Sequence, residues 1–501
     1  MTNKIFLDNG MEAVEASYNG FPLEEYNTNP FIQALPPLMD KQTIIKKLML
    51  PIPFKEEERN LDCSYRLHMI YRLYKLFQPL PIHVDIWNMV FSLIYQGYVA
   101  RNPFDADYRR YVNQTGKQII NRTFDINTRT NFRTTASCAT LIGYSGVGKS
   151  SSINRVLNNI PQLLVHNQYN GQHFNQIQLS HLTLQTPHNS SLKALTLQFF
   201  MKVDELLGTN NYRKHISKNS SVDLMLPLMG QVANNIGLGM LIIDEIQHLQ
   251  NRGIQQMMNY FVTLMNSFGV PVLFIGTPAS YAIFQQEFRI SRRVSGNGEI
   301  IWNNMESNNE FHFFLESIWK YQWNRKVVPL TEEMVKVFYE ETQGISDLIL
   351  KLFINVQKEC IANGKEEFTV SMVKRVAKEH FKLMKPMIEA IKSKNPYKIA
   401  QFEDLRRLEL TDASAPRKEK STSTSTIEKV SKAQQDTKEI PKATKSSTEP
   451  EVKQVLDYTE DDLRGLWKEA SKGEKTVYQL LVENGYVDDM SFWQEEGSIK
   501  C

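Results

Sequence analysis

Apolar residues recur along this chain in two periods, and the switch between them marks its organisation. In residues 1–125, "SYRLHMIYRLYKLFQPL" (Ser64–Leu80) and "DIWNMVFSLIYQGYVA" (Asp85–Ala100) carry apolar positions at helical spacing. The proline-bearing stretch "NPFIQALPPL" (Asn29–Leu38) breaks that pattern and is not expected to be regular helix. The segment predicts a small, mostly helical domain. From 126 to 325 short apolar runs take over: "CATLIG" (Cys138–Gly143), "IQLSHLTL" (Ile177–Leu184), "GMLIID" (Gly239–Asp244) and "PVLFIG" (Pro271–Gly276). They alternate with helical patterns such as "SLKALTLQFFMKVDELL" and "GIQQMMNYFVTLMNSF". That alternation predicts an α/β fold, a parallel sheet flanked by helices. Residues 326–400 read as helices only, the last beginning at "TVSMVKRVAKEHF" with Thr369 placed to cap it.

After residue 400 the pattern fades. Residues 411–450, including "STSTSTIEKVSKAQQDTKEIPKATKSSTEP", hold no aromatic residue and too little apolar surface to offset their ordering entropy, so they predict a linker. Residues 451–501 regain apolar spacing and aromatics (Trp467, Tyr478, Tyr486, Trp493), as expected of a short module on a tether that folds on a partner or packs on the body.

Composition narrows the class. With 42% hydrophobic and 23% charged residues in 501, the chain fits an ordinary globular protein of two or three domains. A net charge of +3 is too small to argue for nucleic acid or membrane by itself, so any basic site must be local. Cys63, Cys138, Cys360 and Cys501 are far apart, which reads as reduced thiols in a cytosolic protein with neither a disulfide framework nor a zinc site. The first residues lack a basic region followed by an apolar run, and no stretch is long and apolar enough to span a bilayer.

The chemistry concentrates in the α/β region. "GYSGVGKSS" (Gly143–Ser151) follows an apolar strand and precedes a helical pattern, the setting a phosphate-binding loop requires. Gly143, Ser145, Gly146, Val147 and Gly148 would present backbone N–H groups to the phosphates of ATP, with Ser151 closing the loop. Lys149 would reach the β- and γ-phosphates, and the Ser150 hydroxyl would ligate Mg²⁺. In "MLIIDEIQHL", a buried strand ends in two acids: Asp244 would hold Mg²⁺ through water and Glu245 would orient or deprotonate the attacking water. After "PVLFIG" comes Thr277, whose hydroxyl either lies beside the γ-phosphate or satisfies the turn. "EFRISRRVSGNG" supplies Arg289, Arg292 and Arg293, on their own a solvated basic stretch or a source of charge for a neighbour's γ-phosphate. Lys193, and Arg213, Lys214, His215 and Lys218 of "NNYRKHISKNSS", either neutralise DNA phosphates or form solvated charge runs.

The phosphate loop, the Asp-Glu strand, the hydroxyl after "LFIG" and the helical lid together resemble AAA+ ATPases. More narrowly, "NPFIQALPPL", "GYVARNP", "HNSSLKALTLQFF", "LIIDEIQHL", "FVTLMNSFGVPVLFIGTP", "FRISRRVSG" and the tail "EDDLRGLWKEAS…YVDDMSFW" resemble TnsC-type AAA+ regulators of heteromeric cut-and-paste DNA transposition. The similarity extends over nearly the whole chain. It implies a bacterial, cytoplasmic, DNA-associated ATPase with slow, switch-like turnover. Its ATP-bound form would assemble as a homo-oligomer, ring or filament, on double-stranded DNA without reading sequence. A target-selection protein would signal through the N-terminal domain and the C-terminal tail would recruit the transposase, with hydrolysis resetting the assembly. It also implies that Arg289 or Arg293 reaches the next subunit's nucleotide. One departure stands out: where many AAA+ lids carry Gly-x-x-Arg, this chain has Gly344-Ile345-Ser346-Asp347, so that either Lys351, a turn later, substitutes for the arginine or this sensor is absent. Two other classes compete: a clamp or initiator loader working as a DNA-remodelling motor, and a nucleotide-gated scaffold. No clear basic recognition helix supports the first, and Glu245 has no use in the second.

Overall fold

The structure is a computed structural model and describes residues 3–121, 123, 134–187, 191–215, 222–249, 254–281, 298–400 and 402. Residues 1–417 form one compact unit, whereas 418–501, which hold the expected transposase-docking tail and most of the linker, lie outside the described residues.

The unit is built on a five-stranded, all-parallel sheet of β3 (Cys138–Gly143), β6 (His181–Gln185), β7 (Met240–Asp244), β8 (Val272–Gly276) and β9 (Glu299–Trp302), in the order β6-β7-β8-β3-β9. The central strands are buried on both faces, which is why they read as continuous apolar runs rather than alternating ones. Their side chains nevertheless part by the strand period. Ala139, Leu141, Met240, Ile242, Leu273 and Ile275 enter one core, while Cys138, Ile142, Leu241, Ile243, Val272 and Phe274 enter another.

The second core is closed by helices α8 (Leu192–Leu207), α10 (Val222–Asn235) and α11 (Ile254–Phe268), with the short α9 (Asn211–His215) after α8. The first core is closed by α5 (Pro81–Val99), α7 (Lys149–Leu157), α12 (Asn309–Trp319) and the helices of the expected lid: α13 (Glu332–Thr342), α14 (Ser346–Ala362), α15 (Val370–His380), α16 (Lys385–Lys392) and α17 (Pro396–Ala400). Thr369 caps α15 by accepting from the Met372 N–H.

Residues 1–125, expected as a small, mostly helical domain, belong to the same compact unit as the main sheet. Their helices α1 (Glu24–Asn27), α2 (Pro30–Gln33), α3 (Lys41–Leu48), α4 (Cys63–Met69), α5 and α6 (Ala106–Ile120) are accompanied by strands β1 (Lys4–Phe6) and β2 (Glu12–Glu15). β2 runs parallel to β4 (Leu163–Tyr169), which forms a hairpin with β5 (Gln172–Leu179), giving a second sheet in the order β1-β2-β4-β5. The physical reason lies in α5, which is apolar nearly all round and buries Val84, Ile86, Trp87, Val90, Leu93, Ile94 and Tyr98. A helix of that kind cannot face solvent and packs into the main core. Gly97 lets it approach, since a Cβ there would lie 2.2 Å from Cγ of Pro271. Buried Arg101 then pins its end, donating to the carbonyls of Gly97 (2.7 Å), Leu238 (2.6 Å) and Gly239 (3.2 Å).

Two local expectations also change. "NPFIQALPPL" contains one helical turn, α2, because Pro30 occupies its first position, where no N–H is needed, and Asn29 accepts the Phe31 N–H. "IQLSHLTL" is two strands, β5 and β6, in different sheets; between them Ser180 Oγ donates to the Pro161 carbonyl at 2.6 Å.

Three histidines tie this packing to pH. His83, His166 and His181 are buried, and burial lowers each from 6.5 to about 4. The unfolded chain protonates these groups near pH 6.5, the folded one near pH 4, so between those values the unfolded state binds more protons. Stability is therefore full above pH 6.5 and falls toward pH 4, with a slope approaching ~4 kcal/mol per pH unit for three such groups. The carboxyls of Glu299, Glu310 and Glu341, raised by burial, act in the opposite direction through smaller shifts. Urea unfolding midpoints are expected to drop clearly between pH 7.5 and pH 5, and equal midpoints would contradict this.

Candidate nucleotide-binding site

Strand order brings the site together. β8 lies between β3 and β7, with Ile142 opposite Gly276 and Ile243 opposite Phe274. The C-terminal ends of all three therefore open on one crevice, the place where parallel α/β sheets bind ligands. From β3 comes the loop, from β7 the acids, and from β8 Thr277.

The loop keeps the glycines that geometry demands. Gly146 and Gly148 have φ of +83° and +107°, and a Cβ on Gly143 would meet the Trp302 carbonyl oxygen at 2.4 Å. Gly148 caps the N-terminus of α7, so the first backbone N–H groups of that helix face the crevice and favour an anion there. Lys149 Nζ lies folded over the loop, donating to the carbonyls of Gly143 (2.7 Å) and Tyr144 (2.9 Å). Ser145, Gly146, Gly148, Lys149, Ser150 and Ser151 line a cavity of about 600 Å³ shared with Glu245, Gln247, His248, Thr277 and Asp347. Val147 is turned away and buried in the core.

Asp244 is 8% exposed and accepts from the Ser150 hydroxyl at 3.2 Å. These two hard oxygen donors meet beside the loop and fit the residues expected to hold Mg²⁺. Glu245 takes the left-handed conformation (φ +58°), its N–H bonded to Asp244 Oδ1 at 2.8 Å. For a non-glycine residue that conformation costs ~1–3 kcal/mol and is found where function over-determines the backbone. Thr277 is 6% exposed and its hydroxyl has no hydrogen-bond partner. Thr277 lines the cavity, and a buried hydroxyl left without a partner is costly.

The lid meets the loop directly. Asp347 N–H donates to the Gly146 carbonyl (3.1 Å) and Ser346 Oγ to that of Val147 (3.3 Å). Gly344 is required, since a Cβ there would lie 2.0 Å from the Met305 carbonyl oxygen. Asp347 stands on the cavity wall in the place expected of an arginine, and Lys351 pairs with it at 2.6 Å instead of lining the cavity.

Several site residues were not foreseen from the sequence. Gln247, in the turn Ile246–His248, bonds both Glu245 and the end of β8. On the other side of the loop a more apolar cavity of about 370 Å³ is lined by Leu76, Phe77, Leu80, His83, Val147 and Trp302, among others. His83 sits edge-on to Trp302 (5.2 Å between centroids) and accepts the Leu80 N–H at Nδ1 (2.7 Å). The residues of this second cavity come from segments far apart in sequence, so no motif could signal them.

Of the other expected residues, Lys193, Arg213 and Lys214 do not line this crevice. Lys193 is half-buried in the first turn of α8, whereas Arg213 and Lys214 are exposed on α9, beyond its far end. At 1.5 Å per residue the length of α8 separates them by about 20 Å, so they form no single patch. Lys218, Arg289, Arg292 and Arg293 lie outside the described residues. Among the described residues no helix is long and apolar enough to cross a membrane.

Residues 132–284 match the family model described as an AAA domain. Similar solved structures include the Aeropyrum pernix ORC1 protein in complex with DNA, at 15% identity over 55% of this chain and 64% of that one, with a TM-score of 0.34. They also include the Walker-type ATPase of Pyrococcus abyssi (14% identity, 58% of this chain and 76% of that, TM-score 0.31). A third is domain III of the Thermotoga maritima replication initiation protein DnaA (14% identity, 56% and 95%, TM-score 0.28). The chain thus spans a little under two thirds of the ORC1 chain. No curated protein matches it in sequence. The parallel sheet and the phosphate loop make a mixed α/β fold with a P-loop, and its segment 132–284 is the part that matches the AAA-domain model.

Proposed function

We propose that the chain is an ATP-hydrolysing switch that assembles on double-stranded DNA and regulates transposition. The observation that supports the reading is that Thr277, whose buried hydroxyl has no hydrogen-bond partner, lines the same cavity as the phosphate loop and Glu245, where it would register a γ-phosphate. ATP would lay its phosphates along residues 143–151 and its base in the apolar cavity between Phe77, His83 and Trp302. Ser150 and Asp244 would hold Mg²⁺, which supplies charge neutralisation to the phosphates. In hydrolysis, the water oxygen bonds to the γ-phosphorus, its proton passes to Glu245, and the bond from phosphorus to the β–γ bridging oxygen breaks, leaving ADP and phosphate.

The finer parts of the reading rest on the resemblance to TnsC-type regulators. In it, ATP-bound subunits form a ring or filament, each offering Arg289 or Arg293 to its neighbour. Lys193, Arg213, Lys214 and Lys218 touch the DNA backbone, many subunits adding modest contacts. The N-terminal segment answers a target-selection protein, and the tail after residue 450 recruits the transposase. Glu245 favours this over a scaffold that binds nucleotide without hydrolysis.

Fluorescence anisotropy of a labelled random-sequence duplex tests the reading. Cooperative binding with ATP, at least 10-fold weaker with ADP or no nucleotide and weakened further by salt, is expected. Binding indifferent to nucleotide, or none, would overturn it.

A further inference from the structure

We propose that Gln247 is a positioning residue that couples the carboxylate of Glu245 to the γ-phosphate-reading end of β8. The inference rests on the ATPase reading above and adds a part to it.

Its side-chain amide makes two bonds of opposite sense. Nε2 donates to Oε2 of Glu245, and Oε1 accepts the backbone N–H of Thr277 at 3.1 Å. A primary amide offers its donor and acceptor in a fixed plane. Turned over, it would set oxygen against carboxylate and NH₂ against N–H, so the two partners together allow one orientation. Room for this arrangement comes from Gly276, where a Cβ would lie 3.1 Å from the same Oε1.

Glu245 is thereby held at both ends. Its N–H is bonded to Asp244, its backbone is left-handed, and its carboxylate is bonded to Gln247. Thr277, bonded to Gln247 through its N–H, lines the cavity and carries the orphan hydroxyl. A phosphate oxygen that takes this hydroxyl and shifts Thr277 acts on Glu245 through a single amide. Gln247 thus links occupancy of the γ-position to the aim of the base without itself touching the reacting atoms.

The test is Gln247→Met, which keeps length and apolar volume but removes both bonds. ATP hydrolysis is expected to lose about 10-fold or more in kcat, part of the 10²–10⁴ that a positioned base contributes. KM for ATP and the Kd of a non-hydrolysable ATP analogue are expected to stay within ~2-fold, since only the transition state uses the coupling. Gln247→Asn, whose amide is one methylene short of spanning both partners, is expected to lose kcat alike. On a Glu245→Gln background, Gln247→Met is expected to cost nothing further, because the group it positions is already gone. A wild-type kcat in both variants, an additive loss in the double variant, or analogue affinity falling in step with kcat would overturn the inference. Absence of hydrolysis by the unmutated chain would overturn the ATPase reading and this inference with it. Normal hydrolysis by the unmutated chain, matched by both variants, would overturn the inference alone.

Discussion

Lys149→Ala is expected to weaken binding of ATP by about 100-fold or more, the loss of one or two charge-assisted hydrogen bonds worth ~1.5–3 kcal/mol each. The lysine is ready for that role. Its Nζ rests on the carbonyls of Gly143 and Tyr144, and the residue lines the cavity into which the phosphates would enter. The α7 N-terminus and the loop N–H groups remain in the variant, so the fold should persist and only the phosphate charge goes unmatched. Isothermal titration calorimetry with a non-hydrolysable ATP analogue measures this, and an affinity within ~3-fold of the unmutated chain would contradict the assignment.

Glu245→Gln is expected to act at the opposite end of the cycle. An amide cannot take the proton from water, so kcat should fall ~10²–10⁴-fold. ATP affinity should be retained, since Glu245 contributes no positive charge to the phosphates and Lys149, Ser150 and Asp244 are untouched. The variant should also remain folded: a glutamine oxygen can still accept from Gln247, and the bond from the residue 245 N–H to Asp244 does not involve the side chain. Single-turnover phosphate release measures the loss. The variant is thus expected to separate ATP binding from ATP consumption.

Much of this site was legible in the sequence because its parts are local. The loop glycines answer backbone demands that no other residue meets, as Gly143 and Gly148 show. The strands that carry the loop, the acids and Thr277 stand out because burial on both faces makes each an uninterrupted apolar run. The replacement of an arginine by Asp347 was visible as well, although its pairing with Lys351 and its place on the cavity wall needed the fold.

What escaped is non-local or weakly patterned. The β4–β5 hairpin turns at Asn170-Gly171, both at positive φ, a hairpin signal set among polar strand residues such as His166, Gln168, Gln172 and Gln176 that hide the apolar alternation. β9 is four residues long and half-exposed, and β1 and β2 acquire a meaning only beside β4. The apolar cavity behind the loop joins residues near 76–83 to Val147 and Trp302, a meeting that spacing along the chain cannot express. Gln247 sat within the motif, yet nothing in "DEIQHL" says that its amide reaches Thr277, thirty residues on.

The most direct test of the central claim is the lifetime of duplex-bound protein after a limiting addition of ATP, followed by anisotropy for the unmutated chain and Glu245→Gln side by side. The account predicts binding that appears with ATP, decays as ATP is consumed, and persists at least 10-fold longer in the variant. Equal lifetimes, or binding that outlasts the ATP in both, would contradict it.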